Sequence, residues 1–323
     1  MFYSIRHSTR FRYSAPVSES LMEVRMHPRT EGEQRCLSFK LSVSPKTRVT
    51  SYRDYLGNTI HHFDVPGHHQ ELTIVAETLV DSLPRNELIP LLASAWDELD
   101  ATVARGDYWE MLAPSHFAQP SDLLQDLSRA LNVKRRSDPL SLLLELNAAI
   151  YSGFEYLPKS TRVDSPIDDT LRTRQGVCQD FAHIFLALAR ELRVPCRYVS
   201  GYLYHGAGHH DRSADGATHA WVEVLLPRMG WLGIDPTNNL IASERHIRTA
   251  IGRDYADVPP TRGLFKGDAK SELGVSVRVA PSDSMPEADD EFRFSSDWST
   301  FQEQGMDDLE QARQQQQQQQ QQQ

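Results

Sequence analysis

The stretch THAWVEVLLPRMGWLGIDPT, Thr218 to Thr237, reads as two strands and the turn between them. Ala220, Val222, Val224 and Leu226 alternate with His219, Trp221 and Glu223, so one face is apolar and the other carries polar chemistry. Pro227-Arg228-Met229-Gly230 interrupts the run, and Trp231-Leu232-Gly233-Ile234-Asp235 returns. A turn centred near residue 227 or 228 sets Asp235 opposite either His219 or Trp221, and in both registers Asp235 and His219 share a face. A carboxylate so placed can hold the imidazole's tautomer and stabilise its protonated form.

A nucleophile for this pair stands upstream, in RTRQGVCQDFAHIFLALAREL, Arg172 to Leu192. The spacing predicts a helix opening at Val177 or Cys178, with Phe181, Phe185, Leu188 and Leu192 at offsets 3, 7, 10 and 14 from the cysteine. Cys178 thus lies on the stripe that faces the core. At a helix N-terminus the unpaired N–H groups and the positive dipole end favour a thiolate and offer donors to an oxyanion. Cysteine, histidine and aspartate, in that order, make a nucleophile, a base and the group that orients the base.

The neighbouring residues carry weaker expectations. Gln179 is a second oxyanion donor behind the Cys178 N–H, and Tyr202 and Trp221 are candidate walls of the substrate cleft. Asp180 suits the helix start electrostatically, and His183, off the cysteine's stripe, reads as structural. Cys36 and Cys196 read as packed strand residues. His205, His209, His210 and Asp211 lie in a glycine-rich loop without helical ligand spacing, so no metal is assigned to them.

Around this centre the chain of 323 residues divides in three. Residues 1–80 show short alternating segments such as Phe39–Val43 and Leu72–Ala76 between turn signals, which predicts a small β-sandwich. Residues 81–281 change to a helical period, with Asp138-Pro139 as an N-cap and first helical position, and then return to strands in RYVSGYLY, HAWVEVLL, GWLGID and VSVRV. The fold class is α+β, with helices packed on an antiparallel sheet. Residues 282–323 are acidic and end in the glutamine run Gln314–Gln323, a composition expected to stay disordered.

The net charge of −10 sits mainly in that tail, where ten acids from Pro281 onward face two arginines. The nearly balanced body has no basic stripe for nucleic acid and nothing to steer it to an anionic membrane. No run approaches the roughly 18 apolar residues of a membrane span, and the N-terminus MFYSIRHSTRFRYS alternates rather than forming a signal segment. With three cysteines and no paired or metal-knuckle spacing, a reducing cytoplasm and free thiols are expected.

GVCQDFAH, RYVSGYL, THAWVEVLLP and GWLGIDPTNN together resemble the core of the bacterial transglutaminase-like superfamily. YSIRHSTRFRYSAPVSES, DYLGNTIHHFDV and GRDYADVPPTRG extend the resemblance to residues 1 to about 280. The resemblance implies a papain-like α+β catalytic fold behind an N-terminal β-domain, with Cys178 as nucleophile, His219 as general base and Asp235 as its orienting carboxylate, and no cofactor or metal. It also implies a peptide or protein substrate and a thioester intermediate. Water resolving that thioester makes a peptidase or amidase, which is the leading expectation, and an amine makes a transglutaminase. Arylamine acetyl transfer fits less well, because GVCQD differs from an RGGxC arrangement. A non-catalytic scaffold is the remaining alternative.

Overall fold

The computed structural model describes residues 1–85, 88–206, 208–281 and 299–300. The expected disordered tail, with its glutamine run, lies outside the described residues apart from the pair 299–300.

Two long strands organise the N-terminal part. β1 (Phe2–Val24) and β4 (Thr59–Ser82) pair antiparallel from Phe2↔Asp81 to Val24↔His61, with register shifts between Arg12 and Val17 and between Val17 and Glu19. Beyond the shifts the second half of the ribbon carries Met22, Val24, Phe63 and Val65 into one core with Leu72, Ile74 and Ala76 of the first half. A bulge bends its strand and sharpens the twist, so a single sheet folds over itself into the expected sandwich. β2 (Gln34–Ser44) extends the first half and β3 (Thr50–Arg53) the second.

The open edge of β1 is covered from the far end of the described chain. β12 (Thr261–Lys266) pairs with Glu19–Val24, and β13 (Ser271–Pro281) pairs with Tyr3–Tyr13. VSVRV, grouped by its sequence position with the α+β part, is therefore a strand of the first sheet. Alternation along a strand reports its buried face and says nothing about its neighbour.

The second sheet runs β10–β9–β8–β7–β11, formed by β7 (Cys196–Leu203), β8 (His219–Leu226), β9 (Gly230–Asp235), β10 (Leu240–Ile241) and β11 (His246–Gly252). Its pairs are all antiparallel. Before it come α1 (Ala95–Arg105), α2 (Trp109–Leu112), α3 (Asp122–Ala130), α4 (Pro139–Gly153), α5 (Ile167–Thr173) and α6 (Cys178–Glu191). Asp138 caps α4 as expected, accepting from the Ser141 N–H at 2.9 Å ahead of Pro139. The short strands β5 (Glu155–Tyr156) and β6 (Gln175–Gly176) pair in parallel just before α6.

α6 packs on β7 and β8 and is covered on its other side by α3, α4 and α5. Its sequence looks amphipathic, yet every residue from Gln179 to Arg190 is buried. Burial of the polar face is tolerated because each polar side chain has its own partner. Arg190, for instance, donates to the Ser115 hydroxyl at 2.8 Å and to the Arg253 carbonyl at 2.5 Å. The unshared face of the sheet meets the β-domain through a buried charge network: Glu223 accepts from Arg197 at 2.7 Å and from Arg248 at 3.2 Å, and Arg197 also reaches Glu31 at 3.2 Å.

Asn58, with no exposed surface, joins the two parts like one rung of a ladder: it donates to the Ile251 carbonyl at 2.8 Å and accepts from the Ile251 N–H at 2.9 Å. Asn58→Ala leaves both backbone groups unpaired in the interior, so chemical denaturation should show a loss of roughly 2–4 kcal/mol. A change below about 0.5 kcal/mol would mean that this joint does not hold the two parts together.

Candidate active site

Cys178 is the first residue of α6 and is partly exposed, while the helix from Gln179 to Arg190 is enclosed. Val177, at the N-cap, has no side-chain oxygen to cap with, and Asp180 supplies half of a capping box instead. Its Oδ2 accepts from the Val177 N–H at 2.8 Å and from the Thr161 hydroxyl at 2.6 Å. Burial outweighs those bonds and pushes the Asp180 carboxyl up to about 6. The opening turn leaves the Cys178 N–H without an intrahelical acceptor, beside its own sulfur.

His219 begins β8. The ladder pairs Val222 with Ile234, so its continuation puts Asp235 opposite Trp221 and diagonal to His219. The His219 Nε2 donates to Asp235 Oδ2 at 2.8 Å. Nδ1 of the same ring is buried and has no hydrogen-bond partner among the described residues, and the Cys178 side chain lies near enough to act on the ring's charge. Catalytic hydrogen bonds are often loose before substrate arrives. The imidazole is thus held by one nitrogen and leaves the other without a partner among the described residues.

Asp235 has no exposed surface, and five donors converge on it. Oδ1 accepts from the N–H groups of Thr237 at 2.9 Å and Asn238 at 3.2 Å. Oδ2 accepts from His219, from Asn238 Nδ2 at 2.8 Å and from His246 Nε2 at 3.3 Å. Burial alone would raise this carboxyl, but the two histidines pull it well below the usual carboxylate range. For His219, burial opposes the charged ring, and the charge and hydrogen bond of Asp235, followed by Cys178, overcome it and raise the pKa well above the ordinary histidine range. His246 moves the other way, because burial dominates.

His219, Asp235 and His246 place three potential ligand atoms within 4.8 Å of one another. A cation does not suit them. His246 Nδ1 accepts the Ser243 N–H at 3.1 Å, which puts the ring's proton on Nε2, aimed at Asp235. The nitrogen a metal would need is already committed as a donor.

Residues 3–81 match the bacterial transglutaminase-like N-terminal region, and residues 127–236 match the transglutaminase-like superfamily. An uncharacterized protein of Mycobacterium leprae is 31% identical over 280 residues, covering 84% of this chain and 96% of that protein. This chain belongs to the bacterial transglutaminase-like family. A Mycobacterium tuberculosis relative, also uncharacterized, is 34% identical over 303 residues, covering 86% of this chain and 92% of its own. Among solved structures, a Cytophaga hutchinsonii protein provisionally assigned as a cysteine protease superposes with a TM-score of 0.68 at 23% identity, over 88% of this chain and 93% of that one, a likeness of fold.

The remaining sequence expectations meet different fates. Gln179 turns its amide to the Val163 carbonyl at 2.8 Å, so it pins a loop beside the cysteine instead of waiting free as an oxyanion donor. Tyr202 is not a cleft wall: it lies in the core between the sheets with Tyr3, Ile5 and Val277, its hydroxyl on His7 Nδ1 at 2.9 Å. Trp221 is also buried, lying alongside the His219 ring with centroids 6.0 Å apart and 28° between planes. It backs the imidazole and does not line an open surface. Large aromatics on a strand bury whichever face they occupy, and alternation cannot tell a cleft from a domain joint.

His183 is structural, stacked on Phe117 and accepting the Tyr255 N–H at 3.2 Å, and burial lowers it to about 3. Asp211 is spent on Arg245 at 2.8 Å. All three cysteines are free, and burial pushes the Cys196 thiol up to about 11. Two contributors had escaped the sequence reading. Asn238, three residues after Asp235, has the spacing of a side chain folding back on its own turn, a signal available in DPTNN. His246, on a different strand, gave no such signal.

Among the described residues no helix is long and apolar enough to cross a membrane.

An NMR titration should find the His219 imidazolium persisting at about pH 8, above the ordinary histidine midpoint of roughly 6.5. Asp235→Asn removes the charge and leaves burial opposed only by the Cys178 side chain, so the ring should lose its proton at a lower pH than in the wild type. A His219 that titrates identically in both proteins would contradict the coupling.

Proposed function

We infer that this chain is a thiol-dependent amide-bond enzyme that works through a thioester, as a peptidase or amidase acting on peptide or isopeptide bonds. The supporting observation is the single imidazole that donates from Nε2 to a buried carboxylate while its other nitrogen stays unpartnered and the Cys178 side chain lies near enough to act on its charge. In this reading the proton of the Cys178 thiol already sits on His219 Nδ1 before substrate binds, and the thiolate adds to the amide carbonyl carbon. The carbonyl oxygen, now an oxyanion, accepts from the Cys178 N–H at the helix start. Collapse breaks the C–N bond, and the amine leaves with the proton from Nδ1. Asp235 keeps the ring oriented and offsets its positive charge while it holds that proton.

Water, deprotonated by the same Nδ1, then cleaves the thioester and releases the acid. Hydrolysis leads because water needs no acceptor site of its own. Transfer to a primary amine is the second reading. It is favoured by a Pseudomonas aeruginosa relative named protein-glutamine gamma-glutamyltransferase, 28% identical over 187 residues, of which this chain spans 28%. The thiol chemistry is common to both.

Cys178→Ala should lower turnover of a susceptible amide roughly a thousandfold or more, with unchanged circular dichroism because the side chain lies at the edge of the core. Retained turnover would refute the assignment. Adding a primary amine to a steady-state assay separates the two readings. Free acid should remain the main product, and an amide of the added amine as the main product would move the assignment to transfer.

A further inference from the structure

A depression of about 620 Å³ has walls that include Phe154, Glu155, Tyr156, Arg174, Gln175 and Arg212. It adjoins the reacting centre along the chain and across it. Gln175 and Gly176 form β6, with one residue between that strand and Cys178, and Tyr156 on the paired strand is within electrostatic reach of the thiol.

Two guanidinium groups line it in an unusual way for this molecule. Elsewhere Arg197, Arg245 and Arg253 each meet a carboxylate. Arg174 instead lies over the Phe154 ring at 4.9 Å. Arg212 lies over the Tyr151 ring at 3.4 Å and donates to the carbonyls of Tyr151 at 2.6 Å and Phe154 at 3.4 Å. Neither forms an ion pair among the described residues. The one acid in the wall, Glu155, accepts from Gln175 at 2.9 Å and belongs to neither arginine. A planar guanidinium held by an aromatic face and by carbonyls keeps its charge and its remaining N–H donors for a ligand, and its fork matches a carboxylate.

The backbone supports the same use. Arg174 adopts φ 59°, a left-handed conformation that costs a side chain free energy and that glycine would take without strain. Arg212 is fixed to the catalytic carboxylate's own network: its N–H donates at 2.7 Å to Asn238 Oδ1, and Asn238 Nδ2 donates to Asp235. The wall of the depression and the base therefore share one scaffold.

We propose that this depression is a substrate subsite for a carboxylate, so that the enzyme prefers amides with an acidic side chain or a free C-terminal carboxylate next to the bond attacked by Cys178. The inference rests on the thiol reading given above and names its substrate class.

The test alkylates the full-length protein with matched chloroacetyl-peptide amides and follows adducts on Cys178 by intact mass and peptide mapping. In this reaction the thiolate displaces chloride, so no natural substrate is needed. One pair compares glutamate with glutamine, and a second compares a free C-terminal acid with its amide, which separates the two sources of carboxylate. At low salt at least one acidic probe should react roughly five- to tenfold faster than its neutral partner, and added salt should shrink that ratio. Arg174→Gln, at an exposed position, should lower the ratio, and Arg212→Lys should lower it by loss of the fork. Labelling of Cys178 without discrimination in either pair would overturn the acidic subsite alone, as would a preference untouched by both variants. No labelling by any probe would count against the thiol reading itself and take this inference with it.

Discussion

The carboxylate of Asp235 is the constraint on which the rest of the site depends. A fully buried ionised carboxylate is tolerated only where donors replace the water it has lost. Here they come from its own turn, from Asn238, from His219 on the adjacent strand and from His246 on a strand at the opposite side of the sheet. Gathering those donors fixes the hairpin, the turn after it and the start of β11 relative to one another. The orientation of the His219 imidazole follows from this arrangement, since its Nε2 is claimed and only Nδ1 is left unpartnered.

The cysteine is positioned by a different economy. α6 is enclosed by a sheet on one side and helices on the other, so it cannot slide or rotate without opening the core. Its polar residues are spent on specific partners: Gln179 on the Val163 carbonyl, Asp180 on Thr161 and the Val177 N–H, Arg190 on the loops around Ser115 and Arg253. Apart from its exposed last residue, Glu191, only Cys178 at the N-terminus is not buried. A rigid helix that exposes its N-terminal thiol suits a nucleophile, because the donors that would stabilise an oxyanion are held in place before the reaction.

The β-domain is more than an appendage. It is closed by strands from beyond the second sheet, so the chain leaves the first part, builds the second and returns to complete the first. The face of the second sheet away from α6 is occupied by the Glu223 network and by Asn58, and the core of Tyr3, Ile5, Tyr202 and Val277 fills the space between the sheets. Arginine is suited to such a joint, since one guanidinium can serve two carboxylates, as Arg197 serves Glu223 and Glu31.

Sequence periodicity alone determined the hairpin from His219 to Asp235, the helix opening at Cys178 and the capped helix at Pro139, because each is a local pattern whose period is written in consecutive residues. The likeness of those segments to a family then supplied the expected roles of Cys178, His219 and Asp235. Only the tertiary structure decided that Tyr202 and Trp221 are buried at domain contacts, that Gln179 is already bonded, that His246 joins the carboxylate and that residues 261–281 complete the first sheet. Those outcomes depend on which surfaces meet across long separations in the chain. A strand's alternation specifies a buried face, and the partner that buries it is chosen by the packing of the whole molecule.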